Sequence, residues 1–282
     1  MERTVILTNT ALDHYYGTET WTYAMAKELS KNYKVKVFTF TKGKMSEKIE
    51  EFAEVVTEMP QGDIYIVNHI NCYGKVPQNK PIIFTSHGRS GLEQFPADGC
   101  LQVGVTEETA KGREVIRNGI DCERFYETPI NKELKTVLYL SHPDYGRAKE
   151  IIREACQGLE LITIEEETFK IENLIHKSDL VITLGRGILE SLSCGRNVIS
   201  ADWRDGWMDG LKGGGMITED NFDFLKTHAF SGRNAPIEFT AERLREEFKK
   251  YDSEMNLRHK IQEEFNIKTQ CEKYLTYFKK DI

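Results

Sequence analysis

Apolar and β-branched residues come in short runs, separated by stretches where apolar residues recur every three or four positions. The first run, 4–8 (TVILT), predicts a strand and is followed by a polar loop to Thr18. Trp21, Ala24, Met25 and Leu29 then predict an amphipathic helix with Thr18 or Thr20 as its cap. Residues 34–41 (KVKVFTFT) alternate, as a second strand should. Strand, helix and strand at this spacing form a βαβ unit, which requires a parallel sheet and a right-handed crossover. Further strands are predicted at 63–68, 81–86, 101–106 and 114–117, with a charged helix over 46–56 and a short helical segment from Glu107 to Gly112.

Residues 118–131 (NGIDCERFYETPIN) have turn residues at both ends and no periodicity, which marks a junction. A second series follows, with strands predicted at 136–141 and 159–164 and helices at 147–156 and 171–176. It leads into 178–200 (SDLVITLGRGILESLSCGRNVIS), the stretch around which the chain is organised. Leu180 to Leu184 suit a strand covered on both faces, and Gly185 and Gly187 allow a tight turn with room for close approach. On the next helix Ile188, Leu189 and Leu192 face a core, Glu190 sits in the first turn, and a strand begins at Asn197. A glycine turn feeding a helix start presents free N–H groups and a positive dipole end, so it holds phosphate. An acid just beyond it accepts hydrogen bonds from ribose hydroxyls. Past Ser200, residues 202–215 read as a loop with two tryptophans and five glycines, then helices at 221–227 and 241–251. The tail, 256–280, predicts one amphipathic helix or a broken pair docked on the body.

At 282 residues the chain is long for one domain and comfortable for two. A net charge of -7 and a pI near 5.6 exclude a protein that coats nucleic acid or anionic membrane by bulk charge. No apolar run approaches the ~20 residues of a membrane span. The N-terminus lacks a signal-peptide pattern, so a cytoplasmic location is expected. Cys72, Cys100, Cys122, Cys156, Cys194 and Cys271 form no C-x-x-C pair and read as reduced thiols, and no protein-held metal is expected. The first strand is not followed by G-x-G-x-x-G, which argues against a nucleotide-dependent oxidoreductase.

Three strings resemble glycosyltransferase family 4, a family of GT-B fold. Residues 17–41 resemble its first glycine loop, helix and second strand, opened by G-[GT]-x-E. Residues 115–125 (VIRNGIDCERF) resemble its junction string V-I-x-N-G-[VI]-D-x-x-x-F, and 179–200 its donor-site strand, helix and strand. The resemblance implies two Rossmann-like parallel α/β domains facing across a cleft, with a C-terminal helix docked on the body. The expected domains are 1–128 on the acceptor side, 129–255 for the nucleotide sugar, and a helical segment 256–282. It further implies transfer of a sugar from a nucleoside diphosphate sugar, a UDP-sugar first, to a hydroxyl acceptor, with retention at the anomeric carbon and no obligatory metal or other cofactor.

In that reading Glu190 holds the ribose, and Gly185, Gly187, Ile188 and Leu189 offer backbone N–H groups to the diphosphate. Arg147 and Lys149 neutralise the departing nucleoside diphosphate, whose negative charge grows in the transition state. His87 matches a family histidine that faces the donor sugar, and Gly17 and Thr18 approach the donor phosphates or the acceptor. Asp13, with His14, contacts the acceptor and is the general base should the reaction invert. Each has a plainer alternative: a dipole-complementing acid for Glu190, an ordinary turn for the glycines, capping for Gly17 and Thr18, solvated charges for Asp13, Arg147 and Lys149, and a satisfied hydrogen-bonding ring for His87. Trp203 and Trp207, with Asp202, Arg204 and Asp205, either stack on a sugar or base or pack a loop. Family members carry a second glutamate eight positions before the ribose acid. Here that position is Ile182, in a shorter loop, which leaves a non-catalytic sugar-nucleotide-binding protein as a rival. The acceptor is a glycan, a lipid or, as in compact phage enzymes, a hydroxymethylated base in DNA. For DNA, Lys31, Lys34, Lys36, Lys42, Lys44 and Lys48 would supply phosphate contacts.

Overall fold

The β-branched and aromatic runs of the first half build a seven-stranded, all-parallel sheet in the computed structural model, which describes residues 3–140, 146–202, 211–232, 235 and 237–279. By internal contact the chain divides into unit 1, Met1–Asp121 with Phe265–Ile282, and unit 2, Cys122–Glu264.

Unit 1 contains β1 (Thr4–Leu12), α1 (Gly17–Leu29), β2 (Lys34–Lys42), α2 (Lys44–Ile49), β3 (Glu54–Val56), β4 (Ile64–Val67), α3 (Ile70–Tyr73), β5 (Ile82–Ser86), β6 (Leu101–Gly104), α4 (Glu107–Ala110) and β7 (Glu114–Val115). Sheet order is β3-β2-β1-β4-β5-β6-β7. The chain moves outward from β1 through β2 and β3, then returns to pair β4 on the other side of β1. The crevice between the carboxyl ends of β1 and β4 is thus the switch point, where open parallel sheets bind ligands. Ile6, Phe38, Tyr65, Val67, Ile82 and Phe84 share one core on this sheet.

Two expectations fail here. The helix predicted over 46–56 stops at Ile49, and Glu54–Val56 becomes an edge strand, because Val55 and Val56 pair with β2 once the charged turn at 50–53 is passed. Neither Thr18 nor Thr20 caps α1. The N-cap is Tyr16, the Thr18 hydroxyl donates to Glu19 at 2.9 Å, and Thr20 donates back to the Tyr16 carbonyl at 2.8 Å.

Unit 2 contains β8 (Thr136–Tyr139), α5 (Gly146–Ala155), β9 (Glu160–Thr163), α6 (Ile171–Ile175), β10 (Leu180–Thr183), α7 (Arg186–Ser193), β11 (Asn197–Asp202), β12 (Leu211–Met216), α8 (Glu219–Thr227), β13 (Ile237–Phe239), α9 (Ala241–Phe248) and α10 (Arg258–Glu264). The order is β13-β12-β11-β10-β8-β9. The four strands β9, β8, β10 and β11 are parallel, and the switch point lies between β8 and β10.

The stretch read as a loop over 202–215 instead includes β12, antiparallel to β11. Its glycines carry no strand propensity, yet the pairing needs them. A Cβ at Gly213 would sit 1.9 Å from the Ser200 carbonyl oxygen, and one at Gly214 would sit 2.5 Å from Leu225.

The tail is a broken pair, α10 followed by α11 (Ile267–Lys279). The second of these belongs to unit 1, where the Tyr274 hydroxyl meets Thr85 Oγ1 at 3.0 Å and Cys271 meets Met25. The junction segment, irregular in sequence, is fixed by side chains. Arg258 donates to the carbonyls of Cys122, Phe125 and Ser193, and Arg196 to those of Thr128 and Pro129. Asp179 accepts from the backbone N–H groups of Asn131, Lys135 and Thr136. Burial pushes the Asp179 carboxyl up, but these donors outweigh it and hold it below the usual range.

Candidate functional site

In unit 2 the strand β10 ends at Thr183, and Gly185 takes φ 58° and ψ -127°, a conformation open only to glycine. A Cβ on Gly187 would stand 2.5 Å from Thr183 Oγ1, so this glycine lets α7 start directly against the strand. The loop therefore sits at the switch point, beside Leu140 at the end of β8, whose carbonyl accepts from Thr183 Oγ1 at 3.0 Å. Of the expected phosphate donors, Gly185 N–H is bonded to the Phe230 carbonyl at 3.2 Å, and Ile188 N–H to the Gly185 carbonyl at 3.2 Å. Leu189 is buried, so Gly187 is the expected donor best placed in the first turn. Phe230 and its neighbour Ala229 both have positive φ, 52° and 56°, a strained pair placed against the glycine loop.

Glu190 is buried on α7 and accepts from Arg186 Nε at 2.8 Å. Burial pushes its carboxyl above the usual range, while the charges of Arg186 and Arg124 pull it back. Arg124, from the junction string, donates to Glu172 at 2.8 Å and to the Phe169 carbonyl, and stacks on Phe125 and Phe169. The sequence reading did not single out Arg186 or Arg124. Ile182 is wholly buried in the core of the sheet, paired between Tyr139 and Ile199. Counting eight residues back from Glu190 lands inside a strand because the intervening loop is so short, and no acid is accommodated there. Lys149 is held by Glu165 at 2.9 Å on the exposed side of α5. The side chain of Arg147, and residues Trp203, Arg204, Asp205 and Trp207, lie outside the described residues. Asp202 is buried at the end of β11 and accepts from Ser231 at 3.2 Å.

In unit 1 the carboxyl ends of the strands gather a polar network. Thr22 Oγ1 donates to the Thr18 carbonyl at 2.8 Å and accepts from the side-chain amides of Asn9 at 3.0 Å and Asn68 at 3.3 Å. A hydroxyl has one proton to give, so both amides must present NH2 to it, and Asn68 Oδ1 is thereby turned to His87 Nε2 at 3.2 Å. That nitrogen carries the proton. Nδ1 of His87 lies 3.2 Å from Asn118 Oδ1, and the Trp21 ring packs edge-on against the imidazole. His69, at the end of β4, accepts at Nδ1 from the Thr10 N–H at 3.1 Å, and burial lowers its pKa to about 4. The ring is neutral, with its proton on Nε2.

Asp13 is partly exposed, 3.7 Å from His14. The acid beside it that the reading passed over, Glu19, is buried in the first turn of α1, and burial raises its pKa with help from Asp13. A Cβ on Gly17 would touch nothing within 4 Å. Four of the six lysines considered for DNA are paired with acids: Lys31 with Glu28, Lys36 with Glu54, Lys42 with Glu50 and Lys48 with Glu51, all within 2.9 Å. Among the described residues no cluster of three or more His, Cys, Asp or Glu side chains is arranged to hold a metal ion, and no helix is long and apolar enough to cross a membrane.

No protein-family model and no curated protein sequence matches the chain. Solved structures do. HepE from Anabaena, in complex with UDP-glucose, superposes with TM-score 0.64 at 14% identity over 99% of this chain and 100% of that one. AviGT4, a glycosyltransferase involved in avilamycin A biosynthesis, gives 0.60 at 13% identity over 98% and 97%. An α-glucosyltransferase in complex with UDP and a 13-mer DNA containing an HMU base gives 0.58 at 9% identity over 98% and 99%. At these identities the likeness establishes the fold, which is that of the GT-B glycosyltransferases.

Proposed function

We propose that the chain is a glycosyltransferase that moves a sugar from a nucleoside diphosphate sugar, a UDP-sugar first, to a hydroxyl acceptor. One observation carries the reading. The switch point of the unit 2 sheet brings a glycine loop, the start of α7 and a buried acid to one place, in a fold whose solved examples include a complex with UDP-glucose. Glu190 accepts from the ribose hydroxyls. Gly187 N–H and the positive end of α7 meet the diphosphate, and the family resemblance adds Arg147, which follows β8 in sequence, as a cation. These groups stabilise the charge that gathers on the departing nucleoside diphosphate.

Unit 1 supplies the acceptor site, with His87 as an oriented donor and Asp13 at its loop. Retention follows from the family resemblance. The DNA-bound neighbour brings a modified base forward as an acceptor, but four of the six lysines that would meet its phosphates are paired with acids, so a glycan or lipid hydroxyl is the reading adopted.

A thermal-shift screen of nucleoside diphosphates and their sugars tests the donor assignment. A cognate ligand at a hundred times its Kd is expected to raise Tm by about 5–10 °C. Glu190→Ala should lose that shift and the release of nucleoside diphosphate. A screen in which no nucleotide moves Tm would overturn the reading, and binding without release for any acceptor would favour a sugar-nucleotide-binding protein.

A further inference from the structure

Resting on that donor site, we propose that Arg186 is a further phosphate-binding cation in it, stored on Glu190 until a nucleotide arrives and then exchanged onto the diphosphate. Arg186 is the first residue of α7, between the two loop glycines. Two features of its placement call for a cause. A cation in the first turn opposes the helix dipole. Its side chain is only 11% exposed, and the Glu190 side chain it bonds only 10%. A pair so far removed from water recovers its desolvation poorly, and the packing of α7 does not need it, since Ile188, Leu189 and Leu192 supply the apolar contacts.

A nucleoside diphosphate answers both. Its ribose hydroxyls donate to Glu190, which keeps Arg124 nearby, and its phosphates give the guanidinium a bidentate partner at the positive end of the same helix. The pair is thus a preformed exchange, in which each charge is balanced before and after binding. Two other cations near the site are paired with acids, Lys149 with Glu165 and Arg124 with Glu172.

Calorimetric titration of uridine, UMP and UDP into the wild type, Arg186→Gln and Arg186→Lys separates this role from support of Glu190. If the screen selects another base, the corresponding nucleoside, monophosphate and diphosphate are used. The exchange predicts that Arg186→Gln loses about tenfold or more in UDP affinity, less for UMP and under about twofold for uridine. Arg186→Lys, which keeps a point charge, should recover part of the loss. Equal losses for UDP and uridine would mean that Arg186 only props Glu190, and an unchanged UDP affinity would likewise overturn the proposal. If the wild type binds no nucleotide, the donor site itself falls. Binding by the wild type with a phosphate-independent defect in the variant removes only the role of Arg186. Should Arg186→Gln fail to fold, the ratio of UDP to uridine affinity in Arg186→Lys carries the test, and a ratio equal to wild type refutes the exchange.

Discussion

At the carboxyl edge of the unit 1 sheet, Asn9, Asn68, Thr22 and His87 are bound into a network of dipoles, whereas the matching edge of unit 2 holds Arg186, Glu190, Arg124 and Glu172 as charges. Both edges flank a switch point between the first strand of the unit and a later strand that returns beside it. On the proposed function the two edges would serve different ligands, and the chemistry that each presents suits that division. Neutral donors and acceptors that already satisfy one another form a rigid frame, suited to orienting a hydroxyl without paying for a desolvated charge. Ion pairs can change partner, which suits a ligand that arrives with charges of its own.

His87→Ala is the substitution with the largest expected effect that sharpens this contrast. If unit 1 orients the reacting groups and unit 2 holds the nucleotide, turnover falls by about 100-fold while affinity for the nucleoside diphosphate stays within about twofold of wild type. Parallel loss of both, measured by steady-state rates and calorimetry, would show that the two edges do not divide the work in this way.

The contrast was only half legible in the sequence. Residues 178–200 announced the strand, glycine loop and helix, because β10, the glycines and α7 are local features whose spacing follows from backbone geometry. The polar network was invisible. Asn9, Thr22, Asn68 and His87 lie on four separate elements or their ends, and only the parallel pairing of β1, β4 and β5 brings them together. Arg186 left a trace that went unread, a cation wedged between two glycines at a helix start with an acid four residues on. β12 was mistaken for a loop because three successive glycines look like flexibility, while in the fold they answer the close approach of Ser200 and Leu225.

Glu19→Gln probes how neutral the unit 1 edge is. Burial raises the Glu19 carboxyl above its ordinary value, so the folded state favours the protonated form. Stability from this group is complete below the unfolded pKa and is lost as pH rises through the folded one. Glutamine cannot ionise, and its carbonyl can still accept from Thr18 Oγ1. The variant should therefore be more stable than wild type at pH 7.5, with the gain vanishing near pH 4. Tm measured at the two pH values decides it. A variant less stable at pH 7.5 would mean that Glu19 is held as a charge, and that unit 1 resembles unit 2 more than the network suggests.

The smallest effect is expected at Gly17, where stability and function should part. Nothing in the chain lies within 4 Å of a Cβ there, and its backbone requires no left-handed turn, so the fold gives no reason for glycine at the first position of α1. Gly17→Ala should leave stability unchanged or raise it by up to about 0.5–1 kcal/mol, through the entropy that glycine loses in a helix. If a ligand closes on this backbone, the same methyl group raises KM for the acceptor or donor several-fold. A variant that is more stable and kinetically unchanged would show that the glycine serves neither, and would confine the ligand contacts of unit 1 to the strand ends where Asn68 and His87 meet.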